Sequence, residues 1–150
     1  MTVVVLLQII STFFLTGLTW YVQLVHYPLF HFIPKTEFKQ FHLSHVTRTN
    51  LIVLTFLPIE VFTSALTAYY GFPGLSHNQW ILGFLFSVAI CLCTIVIQMP
   101  LHAKLSQEKT DEVIDRLVLS HWIRTALWSM RVALLGGMIL RSVSISSFGF

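Results

Sequence analysis

The chain has 150 residues, of which 55% are hydrophobic and only 10% carry a formal charge. A soluble domain holds about a quarter charged residues, so this composition excludes an ordinary soluble protein and makes the lipid bilayer the first expected partner. The net charge of +3 is not a nucleic-acid footprint, because the basic residues are divided between two connecting segments and the last apolar stretch.

Apolar character begins almost at Met1, with no basic leader and no small-residue cleavage site. That pattern reads as a first membrane helix and not as a cleaved signal. Residues 3–25, 51–70, 80–99 and 117–140 form four apolar runs. Each is long enough, at about 1.5 Å per residue, to cross a hydrocarbon core of about 30 Å. The expected fold is therefore all-α: one integral membrane four-helix bundle filling residues 1–150. The turn signal Gly71-Phe72-Pro73-Gly74 makes the second and third helices antiparallel neighbours. The other two connections hold Lys35, Lys39, Arg48, Lys104, Lys109 and Arg116, against Arg141 alone on the opposite side. By the positive-inside rule this predicts a multi-pass protein with both long loops cytoplasmic and both termini outside.

Within the first cytoplasmic loop, Pro34 to Val46 reads as a short interfacial helix, with Phe38, Phe41 and Leu43 free to dip into the headgroup region. In the other loop, Thr110 followed by Asp111 and Glu112 marks a helix start, with acids at the positive end of the dipole. Cys91 and Cys93 lie two apart within an apolar run. They point to different sides of a helix and read as packing residues.

Each predicted span carries a polar line at helical spacing. Thr12, Thr16, Thr19, Gln23 and His26 mark the first; Glu60, Ser64 and Thr67 the second; Ser87, Cys91, Thr94 and Gln98 the third. On the last, His121, Arg124, Trp128, Arg131 and Leu135 share a stripe. Lipid cannot satisfy such groups, so the lines should converge on an internal seam. Glu60 and Arg131 fall at similar depth near mid-bilayer, where a charge pair makes both tolerable. That pair is either part of a site or a device that fixes helix register.

Six of the seven histidines lie toward the cytoplasmic side, the exception being His77 in the outer hairpin. His26, His42, His45 and His102 arrive from separate segments at one level and form the candidate metal set. Neutral imidazole suits iron, copper, zinc or haem, and the spacing does not choose among them. Arg124 and His121, with Glu60 and Arg131, are the candidate catalytic groups. Gln23, Gln98, Trp122 and Trp128 are the candidate cofactor contacts.

The segment Gln98-Met99-Pro100-Leu101-His102-Ala103-Lys104-Leu105, an acidic linker, and then Trp122-Ile123-Arg124-Thr125 resembles the anthrone-oxygenase-like family of small four-helix membrane proteins. Pro100, Trp122, Arg124 and Thr125 match its pattern, while His102 stands where asparagine is usual. The resemblance implies oxygenation or oxidation of a hydrophobic, polyketide-like aromatic. Two functional classes follow. One is a metal- or haem-dependent oxidoreductase whose lipophilic small-molecule substrate enters between helices. The other is a non-catalytic accessory or assembly subunit, as a homo-oligomer or in a larger membrane complex, or a lipid- or quinone-binding protein. A through-membrane ion path fits poorly, because the outer half offers only Ser and Thr beyond mid-membrane.

Overall fold

The computed structural model describes residues 2–73 and 75–148, with side chains given for 3–73 and 75–140. Gly74 of the expected turn and the side chain of Arg141 lie outside the described residues. Among those described, the chain is all-helical. α1 spans Thr2–Tyr21, continues as a π-helical turn over Val22–His26, and ends in a 3-10 segment, Pro28–Phe32. α2 is Lys35–Tyr70, and α3, His77–Cys93, passes through a second π-helical turn, Thr94–Gln98, into α4, Met99–Gln107. α5 runs Asp111–Phe148. Four continuous helical stretches are long and apolar enough to cross a membrane.

Each of α1 and α3 packs against both α2 and α5, which closes a four-cornered bundle of alternating direction. One apolar cluster fills one end with Phe30, Phe38, Leu105, Ile114 and Leu117. Leu15, Ile90 and Trp128 fill the middle, and Trp80, Leu135 and Met138 the other end. Large apolar side chains also face outward, among them Leu51, Leu54 and Phe62, where only lipid tails would match them.

The helix ends follow local chemistry. Ser76 and Gln79 form a reciprocal capping box at the start of α3. Gly71 ends α2 with φ of 63°, a conformation that costs any residue with a Cβ. Both π turns stand just ahead of a proline. A proline ring clashes with the carbonyl four residues back and supplies no N–H. For Pro28 and Pro100 those carbonyls belong to Leu24 and Val96, inside the widened turns, whose closing bonds run from Tyr27 N to Val22 O and from Met99 N to Thr94 O. The helix thus bypasses each proline without ending.

Two expectations need correction. Pro34 to Val46 is not a separate interfacial helix, because residues from Lys35 onward are the first turns of the 36-residue α2. Phe38, His42 and His45 lie on one face of it and are buried against the other helices, so Phe38 packs on protein and not on headgroups. The presumed cytoplasmic loops are equally short. α2 measures about 54 Å at 1.5 Å per residue, so the bundle extends well beyond a hydrocarbon core. The histidines other than His77 lie toward the end of the bundle where α2 begins.

Candidate functional site

Two polar centres lie in the bundle. At mid-length, Glu60 of α2 is fully buried and ion-paired with Arg131 of α5. Its carboxylate also accepts hydrogen bonds from Thr12 Oγ1 at 2.7 Å, Ser11 Oγ at 3.1 Å, and Ser64 and Ser87 Oγ at 3.2 Å each. Arg131 donates in addition to the Gly83 carbonyl and to Ser64 Oγ. Gln8 Nε2 donates to the same Ser64 hydroxyl at 3.1 Å. Buried charges persist when paired and hydrogen-bonded, and both oxygens of Glu60 meet that condition.

The second centre lies at the end bearing the histidines. His42 and His45 project from the buried face of α2, His26 closes the first π turn, His102 follows the second in α4, and His121 comes from α5. Tyr27 stands among them, with its ring centroid 4.9 Å from that of His121 and 5.6 Å from that of His102. Its hydroxyl meets His102 Nε2 at 2.9 Å, and His102 Nδ1 meets His42 Nε2 at 3.0 Å. His26 Nε2 and His45 Nδ1 are 2.7 Å apart. An N···N hydrogen bond needs one N–H and one bare nitrogen, so each linked pair keeps at least one neutral ring. His121 Nδ1 lies 2.9 Å from the acceptor oxygen of Gln23. That contact places the proton on Nδ1 and leaves Nε2 bare.

Beside these rings is a cavity of about 50 Å³. Leu15, Leu18, Val22, Val53 and Leu57 give its apolar wall; Thr19, Tyr27, Thr49, His121, Arg124 and Trp128 give its polar one. A water site takes roughly 10–15 Å³, so the space suits a few waters or the polar end of a ligand. Leu18, Val53 and Leu57 are half-exposed on the outside of the bundle. They bring the apolar wall of the cavity toward the outside of the bundle. Two donors on the polar wall are buried without an acceptor, Arg124 Nε and Trp128 Nε1. Arg124 has no ion pair among the described residues.

No family model, curated protein or solved structure matches the chain. The site is therefore read from its own geometry.

The sequence-predicted residues divide. Arg124, His121 and Trp128 line the cavity. Gln23 stands behind it and orients His121, while its amide donates to the Val118 carbonyl at 3.2 Å. Glu60 and Arg131 form the expected pair, but neither lines the cavity. Gln98 is buried on Ser120 Oγ at 3.2 Å and is not on the cavity wall. Trp122 is 43% exposed and packs edge-on against Trp20 at the surface, so it is not placed to touch a ligand in the cavity.

His26, His42, His45 and His102 do come together, but their nitrogens are committed to one another in pairs. Among the described residues no group of three or more His, Cys, Asp or Glu side chains is arranged to hold a metal ion. As these nitrogens are arranged, the donor set does not fit a metal centre. Tyr27 and Thr49 were not singled out by the sequence reading. Their signals were a phenol between His26 and Pro28, and a hydroxyl one turn after His45.

Proposed function

We propose that the chain is a multi-pass integral membrane protein that binds a lipophilic small molecule through an acidic oxygen, a phenol or an enol, and removes the proton from that oxygen. Four apolar helices of spanning length support the membrane setting. Lys35, Lys39, Arg48, Lys104, Lys109 and Arg116 gather at the histidine-bearing end and, by the positive-inside rule, favour the cytoplasm for that end and the outside for both termini.

One observation carries the reading: Arg124 Nε and Trp128 Nε1 are buried donors on a cavity wall with nothing to accept from them. An unmet buried donor costs about 1–3 kcal/mol, and more when it is charged. An anionic oxygen placed between the two would relieve both. The apolar wall, reaching toward the outside of the bundle, suits a ligand arriving from lipid. A hydroxylated polyketide-like aromatic is such a molecule, which agrees with the resemblance of residues 98–105 and 122–125 to the anthrone-oxygenase-like family. Ionising the ring oxygen enriches the aromatic in electrons, and that is the form an oxidation would draw on.

Alizarin, a lipophilic hydroxyanthraquinone that changes colour when its phenol ionises, is a direct probe. Detergent-purified protein should bind it saturably in the ionised form. Arg124→Gln should weaken binding about 10- to 100-fold, the value of a charge-assisted hydrogen bond. Equal affinity in the variant, or no saturable binding, refutes the proposal.

A further inference from the structure

We infer that the histidines next to the cavity form a proton wire that carries the ligand's proton to the protein surface at Ser106, with Tyr27 receiving it. The inference rests on the ligand reading above and extends it.

The wire is continuous. Tyr27 lines the cavity, its hydroxyl is bonded to His102 Nε2, His102 Nδ1 to His42 Nε2, and His42 Nδ1 to Ser106 Oγ at 3.2 Å. Tyr27 and His42 are only 4% and 0% exposed, whereas Ser106 is exposed, so the chain leads from the buried cavity to water.

Its polarity follows from the far end. Ser106 Oγ donates to the His102 carbonyl at 2.9 Å, which leaves it an acceptor toward His42. His42 then carries its proton on Nδ1 and accepts at Nε2, and His102 carries its proton on Nδ1 and accepts at Nε2 from the Tyr27 hydroxyl. The donors of Tyr27, His102 and His42 all point from cavity to surface, and the Ser106 hydroxyl turns from the His102 carbonyl to water to complete the exit. As the ligand O–H breaks, its proton joins the Tyr27 oxygen while Tyr27 passes its own to His102 Nε2. His102 Nδ1 releases a proton to His42 Nε2, and His42 Nδ1 releases one through Ser106 to water. The bonding pair stays on the ligand oxygen beside Arg124. Nothing is oxidised, and one proton leaves.

His121 has no such exit. Its proton is held by Gln23, and Nε2 has no onward partner among the described residues. His45 is also off the wire, because its Nδ1 is shared by His26 and by Thr49 Oγ1 at 3.2 Å.

Two measurements test this. In weakly buffered detergent solution, stopped-flow mixing with alizarin should release one proton per bound dye to a soluble pH indicator. Tyr27→Phe and His102→Gln should slow that release roughly a hundredfold or more, as loss of a positioned proton-transfer group does, while His26→Gln leaves it unchanged. Release at the wild-type rate in Tyr27→Phe and His102→Gln overturns the wire. A failure of alizarin to bind at all defeats the ligand proposal instead. Independently of any ligand, nitrogen-15 spectra should show His42 and His102 both as neutral rings protonated at Nδ1. A proton on Nε2 of either ring, or stoichiometric zinc, iron or copper lost in His42→Gln, overturns the inference.

Discussion

The two polar centres of this bundle are built from similar materials to opposite ends. Around Glu60 and Arg131, hydroxyls from α1, α2 and α3 meet both oxygens of the carboxylate, and the guanidinium has its counter-charge in Glu60 although its Nε lacks an acceptor. At the histidine-bearing end, Arg124 stands on a cavity wall with an unmet donor and no counter-charge among the described residues. A guanidinium is costly to bury in either place. One centre offsets that cost with an ion pair, and the other has no counter-charge among the described residues. A paired network holds helices in register, while the unpaired guanidinium is what the proposed ligand would answer.

Substitutions should separate the two centres sharply. The largest effect belongs to the paired one. Arg131→Met strands a buried carboxylate and should cost about 3–5 kcal/mol of stability, read from denaturant titration of the detergent-solubilised protein. Combining it with Glu60→Leu should restore most of that loss. A double variant as unstable as the sum of two damaging singles would show that the pair is not an isolated unit. Arg124→Gln should do the reverse. Its stability should hold or rise by about 1–3 kcal/mol, because a buried unmet donor is removed, while alizarin affinity falls by about one to two decades. If the variant is strongly destabilised instead, the unpaired centre is structural too.

Trp128→Phe keeps an aromatic ring on the cavity wall while losing the N–H and part of the indole's bulk. Alizarin affinity should drop about 2- to 10-fold, the worth of one neutral hydrogen bond, as titration by absorbance would reveal. The smallest effects lie in single hydroxyls. Ser11→Ala should cost about 1 kcal/mol, because it removes one donor from a buried carboxylate. Thr49→Val on the cavity wall should stay within about 0.5 kcal/mol. Equal costs in the two would erase the distinction.

Much of this was legible in the sequence. The four apolar runs named the helices, and residue counting along them placed Glu60 and Arg131 at one depth, where they pair. The polar lines also turned inward as periodicity required, with Thr12, Gln23, Ser64, Ser87, Gln98 and His121 all buried. The misreadings have local causes. Trp122 is one residue from His121 and therefore about 100° around the helix, which turns it off the buried stripe and onto the surface beside Trp20. The apolar runs read as ending at 25 and 99 stop just ahead of Pro28 and Pro100, where a proline ordinarily breaks the ladder. The widened turns that let the helix continue depend on tertiary packing and leave no periodic mark. Histidines at one level suggested a metal, since spacing reveals that rings can meet but not that they hydrogen-bond one another.

The second widened turn also sets the angular phase of α4 relative to α3. Closing bonds that reach back five residues insert one residue beyond the α-helical count, so everything past Gln98 is rotated by about 100° from where a regular helix would put it. Deleting Val96 alone, with no side chain of either centre touched, should swing His102 away from His42 and Tyr27 while Ser87 keeps its place beside Glu60. Helical phase, set by a single backbone insertion, thus decides whether the imidazoles line up at all.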